Sequence, residues 1–259
     1  MSPPQLVQQY SLGMQTTSSS SRSRAHSYSL RALDGFVLQR ALQVLDPVSS
    51  LCRRFGFSAP PSPPSGGTPL AISDHALTPF QAVIWGMSIA NALKQIFWLL
   101  VTSKESFGLS SAVAVSIFNT VNNGLNTMIF SFASVNPTWS YTTFYASIPI
   151  FIAGILMETV AEIQRKAFKD DPKNKGKVYT GGLFGIVRHP NYCGYMLWRG
   201  AMALATGGWA WGVLVASFFW YDFNNRSIPT LDAYCNKRYG EQWVAVKRKV
   251  PYAFFPYVK

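Results

Sequence analysis

The run YMLWRGAMALATGGWAWGVLVASFFWY, Tyr195–Tyr221, decides how the rest of this 259-residue chain reads. About 20 apolar residues suffice to cross a bilayer, so its length permits a crossing. The charges on either side argue against a single one. Upstream, Gln164–Arg188 carries Arg165, Lys166, Lys169, Lys173, Lys175, Lys177 and Arg188 against Asp170 and Asp171. Downstream lie Arg226, Lys237, Arg238, Lys247, Arg248, Lys249 and Lys259. Basic flanks stay on the cytoplasmic side, and one crossing would separate the two sets. The run is therefore expected to fold back at Gly207-Gly208 as a re-entrant hairpin. Its arms are too short for two full spans, so protein must cover the backbone at the bend.

Three more apolar segments precede it: Phe80–Val101, Ser111–Val135 and Tyr141–Val160. The loop Asn136–Ser140 between the last two is uncharged, which suits the side opposite the basic segments. Asn119, Asn122, Asn123 and Asn126 recur at helical spacing on one face. Such amides either hydrogen-bond across helices or face a cavity that takes a polar ligand group. Lys94 needs either an interface to snorkel to or a partner. Composition agrees with a membrane setting. The chain is 48% hydrophobic and only 13% charged, against about 25% charged in an average soluble protein, and its mean hydropathy is +0.10. The net charge of +12 points to a bilayer rather than to nucleic acid, whose binding domains do not need long apolar runs. Three cysteines and three histidines exclude a disulfide scaffold and a Cys-only four-ligand zinc site, and no metal is expected. The fold expected is all-α and polytopic, with four to five membrane-embedded helical segments.

Residues 1–78 differ from the remainder, 79–259. A serine block (Ser18–Ser21) and the run PPSPPSGGTP (60–69) read as largely disordered. A short amphipathic stretch lies around Leu30–Arg54. Arg-rich, Ser-rich and acid-poor, this leader has the composition of a transit peptide or of an extra-membrane tail with a surface-lying helix. No apolar core near Met1 suggests a secretory signal.

Two motifs carry chemistry. The first is GGLFGIVRHPNYCG, 181–194, in which Arg188, His189, Asn191 and Tyr192 project donors from a turn set by glycine and Pro190. The second is DAYCNKRYGEQW, 232–243, with Asp232, Cys235 and Tyr239 at helical spacing beside Lys237 and Arg238. Cations neutralise phosphate and a carboxylate accepts ribose hydroxyls, so together these suit a phosphorylated nucleotide. A basic patch against anionic lipid is the other reading of the same residues. No GxGxxG opens a strand–helix unit, which disfavours a Rossmann site.

The RHPNY segment, the D-x-x-C-x-x-R-Y-G-x-x-W and V-P-Y…P-Y tail, and the upstream Gln164–Lys169 resemble, over about Glu162–Val258, the sterol reductases of the delta-14 and delta-24(28) type. More loosely they resemble the carboxy-terminal domain of steroid 5-alpha-reductases. The resemblance implies a membrane reductase that uses NADPH on a carbon–carbon double bond of a sterol or similar lipid, in the endoplasmic reticulum with the cofactor site cytoplasmic, or else in a mitochondrial membrane. It places the cofactor pocket on Arg165, Lys169, Tyr179, Phe184, Asn191, Tyr192, Asp232, Cys235, Arg238 and Tyr239, next to Arg188 and His189. Lys169 stands where the family has Arg, and Phe184 where it often has Trp. Candidate catalytic groups are Asp232, Tyr192, Tyr239, Glu158 and Glu162, the two glutamates as buried acids or as helix-end carboxylates meeting Lys94 or Arg199. Arg199 is a phosphate ligand or a partner of one of those acids. The implied partners are the bilayer and a hydrophobic small molecule. Isoprenylcysteine carboxyl and phospholipid methyltransferases share the RHPxYxG turn and bind S-adenosylmethionine, which is the alternative cofactor. They usually carry a glutamate pair where this chain has Leu231-Asp232. A shortened reductase half kept as a lipid- or partner-binding protein is the third reading.

Overall fold

The computed structural model describes residues 54–56, 58, 62–72, 75–102 and 109–256. The serine block, and all of the Leu30–Arg54 stretch except Arg54, lie outside the described residues. Ahead of Pro79, two three-residue strands, β1 (Leu70–Ile72) and β2 (His75–Leu77), pair antiparallel with Ala71 opposite Ala76. Everything else regular among the described residues is helix.

Local chemistry sets the helix starts. α1 (Pro79–Phe97) opens on a capping box in which Thr78 and Gln81 each accept the other's backbone N–H, with Pro79 at the first position. It runs on as a π turn through Trp98–Thr102. α2 spans Leu109–Phe130. α3 (Tyr141–Asp170) begins on a second capping box, Ser140 with Thr143. Its 30 residues give about 45 Å of helix, well beyond the roughly 30 Å hydrocarbon core. Its last turns, from about Glu162 to Asp170, therefore stand outside the bilayer. α4 (Pro190–Asp222) continues through a π turn (Phe223–Ser227) into α5 (Ile228–Tyr239), and α6 (Glu241–Lys249) follows. Among the described residues, three stretches of helix are long and apolar enough to cross a membrane: Pro79–Thr102, Tyr141–Asp170 and Pro190–Tyr239. α2 has the length, and its asparagine stripe lowers its apolarity. The molecule is an all-helical, polytopic membrane protein.

The expected hairpin is present. Gly208 adopts φ 74°, ψ −171° and breaks α4 into two arms. They return antiparallel: Tyr192 stacks on Phe223 at 4.8 Å, Tyr195 meets Phe219 at 5.1 Å, and a Cβ on Gly200 would touch that of Ala216 at 3.1 Å. The bend is covered by the uncharged loop. Asn136 Nδ2 and Thr138 Oγ1 donate to the Gly207 carbonyl (2.9 and 3.1 Å), Trp139 Nε1 donates to Ala205 O (2.9 Å), and Trp209 N donates to Thr138 O (3.1 Å). Those carbonyls end the first arm and have no intrahelical partner, so the loop satisfies what lipid cannot. The arms are longer than Tyr195–Tyr221 implies. The first begins at Pro190 and extends about 27 Å, so the bend lies near the far edge of the hydrocarbon.

The core lies among α1, α3 and the first arm, around Phe80, Ile84, Phe144, Phe151 and Trp198. Phe80 packs on Phe144 at 4.1 Å and on Trp139 at 5.8 Å. The start of α1, the uncharged loop and the hairpin bend thus share one end of the bundle. Both basic segments share the other. Lipid-facing side chains stay exposed, among them Ile152 and Leu156 on α3 and Val213, Leu214 and Phe218 on the second arm.

Candidate functional site

The site grows from one close contact. Gly154 of α3 lies against Gly194 of the first arm so tightly that a Cβ on Gly194 would meet Gly154 O at 2.7 Å and Glu158 N at 2.6 Å. No other residue permits that approach. One turn up α3, it places Glu158 beside Trp198, whose Nε1 donates to Glu158 Oε2 at 2.7 Å. Lys94 reaches across from α1 and pairs with Glu158 Oε1. Lys94 is therefore partnered rather than snorkelling, and Glu158 takes Lys94 in preference to Arg199.

The next turn of α3 carries Glu162, 4% exposed. Asn191 Nδ2 donates to its Oε1 at 3.0 Å, and Arg165 Nη2 to its Oε2 at 2.5 Å. Glu158, Glu162, Arg165 and Lys169 follow helical spacing on one side of α3. The i→i+4 step from Glu158 to Glu162 leads from the membrane interior to the mouth at the basic end of the bundle. Lys169 Nζ donates to Lys177 O (2.6 Å) and to the Tyr239 phenol oxygen (3.0 Å), so it joins α3 to α5.

The glycine turn folds over this face. Gln164 Oε1 accepts Leu183 N at 3.1 Å, and it fills the space a side chain at Gly182 (φ 53°) would need. Tyr179 lies between Phe168 (4.9 Å) and Phe184 (5.6 Å), an aromatic wall beside Lys169.

The carboxy-terminal strap locks the RHPNY turn. Arg188 N donates to Tyr252 O (2.9 Å), its Nη1 to Val250 O (2.8 Å) and Pro251 O (2.6 Å), and His189 N to Ala253 O (3.0 Å). Arg188 is thus occupied with holding the tail. His189, 2% exposed, stacks on Tyr192 at 5.5 Å, and Tyr192 in turn on Phe223. Its Nε2 has no hydrogen-bond partner. Burial, helped by the Arg188 charge, pushes the imidazole down to about 4, with Asp232 opposing. The ring is neutral at physiological pH.

On α5, Asp232 Oδ1 accepts from Trp243 Nε1 at 2.6 Å, while its Oδ2 accepts from Asn236 at 3.0 Å and Lys247 at 3.1 Å. One turn on, Cys235 is buried with Trp243 and Val246. The charges of Asp232, Lys169, Arg238 and Arg165 all bear on its thiol. Arg238 donates to the Tyr234 hydroxyl and sits 5.5 Å from the Tyr239 ring centroid. The end of α3 reaches the second motif through Lys169 and Tyr239 and the first through Glu162 and Asn191. Tyr192 lies inside the aromatic stack, between His189 and Phe223.

Sequence reasoning missed Trp198, Trp243, Lys247 and Gln164. Trp243 lies inside the quoted motif, eleven positions after Asp232, and two successive helices bring it back. Trp198 gave no signal beyond standing next to Arg199.

A family model described as a protein of unknown function (DUF1295) matches residues 110–250. The chain is 37% identical over 222 residues, 81% of its length and 76% of the other's, to the protein described as "Probable O-methyltransferase ustE" of Ustilaginoidea virens. It is 30% identical over 162 residues, 60% of its length and 59% of the other's, to the steroid 5-alpha-reductase DET2 of Solanum lycopersicum. It is 31% identical over 72 residues, 28% of its length and 30% of the other's, to a protein-S-isoprenylcysteine O-methyltransferase of Schizosaccharomyces pombe. The relatives are described as enzymes, and the resemblances to steroid 5-alpha-reductases and to isoprenylcysteine methyltransferases are both borne out.

Proposed function

Because the chain belongs to the DUF1295 family, with relatives named both as reductases and as methyltransferases, we propose that it is a membrane-bound, NADPH-dependent reductase of a carbon–carbon double bond in a sterol, steroid or similar lipid enone. The charge around Cys235 carries this reading. Lys169 and Arg238 converge on Tyr239, while the carboxylates beside them already have cations, Glu162 with Arg165 and Asp232 with Lys247. A surplus of cations favours a polyanionic ligand, whereas S-adenosylmethionine carries a net positive charge.

In this reading Arg165, Lys169 and Arg238 hold the phosphates, Tyr179 and Phe184 give an aromatic ring a wall to pack on, and Asp232 accepts ribose hydroxyls. NADPH, when bound, supplies the hydride. Asn191 holds Glu162 at the mouth, and Trp198 and Lys94 hold Glu158 one turn deeper. That places the two carboxylates in line between the cytoplasmic mouth and the bilayer, where they handle the proton. Tyr239, tied to Lys169, is a further donor next to the cations. The basic segments put the cofactor side in the cytoplasm, with the endoplasmic reticulum the favoured membrane and a mitochondrial membrane second. Residues 79–259 form the reductase-like unit and 1–78 the leader. The relative from Ustilaginoidea virens, matched over 76% of its length, favours the second reading, an O-methyltransferase using S-adenosylmethionine.

The test is calorimetric titration of the purified chain in nanodiscs with NADPH and, separately, S-adenosylmethionine. Saturable NADPH binding, weakened at least tenfold in Asp232→Asn and in Lys169→Gln, is expected. Binding of S-adenosylmethionine without NADPH overturns the reductase.

A further inference from the structure

Among the described residues Arg199 has no counter-ion. It is 2% exposed and lies nine residues along the first arm from Pro190, about 13 Å into the bundle and close to midway between the cytoplasmic mouth and the bend at Gly207-Gly208. Its Nη2 donates to Asn119 Oδ1, its Nη1 to Asn122 Oδ1 at 3.2 Å, and its Nε to the Tyr195 hydroxyl at 3.1 Å. Its guanidinium carbon also sits 4.4 Å from the Trp198 ring centroid and 5.2 Å from that of Tyr195. All these partners are neutral. Among the described residues no carboxylate pairs with it. The nearest buried acid, Glu158, is held by Lys94 and Trp198.

Guanidinium has five N–H donors, and three bonds to protein acceptors are formed. A membrane-buried arginine ordinarily pairs with an acid or lines a functional pathway. Here the oriented amides of α2 arrange the guanidinium and leave its charge standing. Asn119 is itself braced by a bond to Gln95 Oε1 (2.9 Å), and Gln95 by Asn91 Oδ1 (2.7 Å). The polar chain from α1 through α2 to α4 thus ends on one unneutralised cation. Phe118 stands 5.9 Å from the guanidinium, 40% exposed and edge-on to Phe219 of the second arm, and the half-buried Asn122 lies one helical turn further along α2.

We propose that Arg199, Asn119 and Asn122 form a binding site for the carboxylate of a bilayer-soluble amphiphile that enters laterally past Phe118. Arg recognises a carboxylate through paired N–H donors. Depth selects the source. Phospholipid phosphates sit at the edges of a hydrocarbon core about 30 Å thick, too far to reach mid-span, whereas the acid of a fatty-acid-like or terpenoid chain moves with its apolar body. Naming that acid the substrate rests on the reductase reading; its binding does not, and it needs no nucleotide.

The test uses oleate, with oleyl alcohol as the uncharged match, titrated calorimetrically into the chain in phosphatidylcholine nanodiscs without nucleotide. Thermal unfolding is followed in parallel. Oleate is expected to bind at least tenfold more tightly than oleyl alcohol and to raise the midpoint. Arg199→Gln abolishes that preference while the ligand-free midpoint holds or rises, since an unneutralised buried charge is removed. Asn122→Ala, at the half-buried rim, weakens oleate severalfold in a folded protein. Equal binding of acid and alcohol to the natural chain overturns the proposal. So does an Arg199→Gln midpoint that falls with the oleate preference retained. NADPH titration of the same samples reports separately on the nucleotide site.

Discussion

Gly194→Ala tests the contact from which the site is built. The new methyl would lie 2.6 Å from Glu158 N, 2.7 Å from Gly154 O and 2.9 Å from Glu158 Cβ. Two of those atoms are backbone of a long helix and cannot swing aside. Restoring ordinary contact at 3.4 Å requires α3 and the first arm to part by about 0.8 Å. That movement would stretch Trp198–Glu158 from 2.7 Å and Asn191–Glu162 from 3.0 Å to about 3.5 Å or more, past useful hydrogen-bond length. Overpacking costs about 1–3 kcal/mol, and each hydrogen bond to a charged group about 1.5–3. The lower end of that sum, about 4 kcal/mol, corresponds to about 8–16 °C in the unfolding midpoint for a chain of this size. NADPH affinity should fall with it, because Asn191 and Arg165 converge on Glu162. Gly86→Ala is the control: its Cβ meets nothing within 4 Å, and replacing an interior helical glycine gains about 0.5–1 kcal/mol. Both variants are compared by thermal unfolding in nanodiscs at one scan rate. A Gly194→Ala midpoint within a degree or two of the natural chain, with NADPH binding unchanged, would refute the reasoning.

Three further outcomes are expected. His189 is held neutral, near 4 rather than the ordinary 6.5, so its contribution is full above pH 6.5 and is lost as pH falls from 6.5 through 4. The loss amounts to about 3 kcal/mol at the acid end; His189→Phe should flatten the fall of the midpoint between pH 7 and 4, and an unchanged slope would point elsewhere. Arg188→Ala removes the bonds to Val250 O and Pro251 O and should loosen the tail by about 2 kcal/mol, seen as faster cleavage beyond Lys249 in limited proteolysis, with no rescue by Arg188→Lys. A membrane-impermeant maleimide should label Pro137→Cys and Lys175→Cys from opposite faces of sealed vesicles; labelling from one face would remove the topology.

What the sequence disclosed and what it withheld follow from the range of the forces involved. Membrane depth, the side on which basic loops fall and the need to cover a bend are one-dimensional constraints, so Tyr195–Tyr221 announced its hairpin and Gly207-Gly208 its turn. The expected asparagine stripe on α2 also proved to be a bonding face, toward Gln95, Arg199 and Trp211. Pairings between helices were not legible. Nothing in the spacing says that Glu158 takes Lys94 rather than Arg199, because the choice is made by the rotation of α3 that the Gly154–Gly194 contact imposes. The role of Arg188 was hidden for a similar reason: its acceptors are main-chain carbonyls of the tail, which any residue would offer.

This chain is similar to proteins named for two chemistries, and its own geometry offers a reason. In this chain the glycine contact, the RHPNY turn and the strap that holds it fix a mouth between the end of α3 and the start of the hairpin. In the proposed reading the cofactor lies at that mouth. Charge is decided by α5 and the last turns of α3, where here Lys169 and Arg238 converge on Tyr239 and Asp232 is held by Trp243 and Lys247. If that division holds, reversing the charge balance should move the cofactor preference and leave the fold alone. Lys169→Glu with Arg238→Gln removes two cations and adds an acid at positions that are not deeply buried. The double variant should keep its unfolding midpoint within a few degrees, lose NADPH binding by a hundredfold or more, and retain oleate binding at Arg199. Loss of the midpoint along with NADPH would mean that these cations hold α3 to α5 structurally, and the charge argument for the cofactor would fall with them.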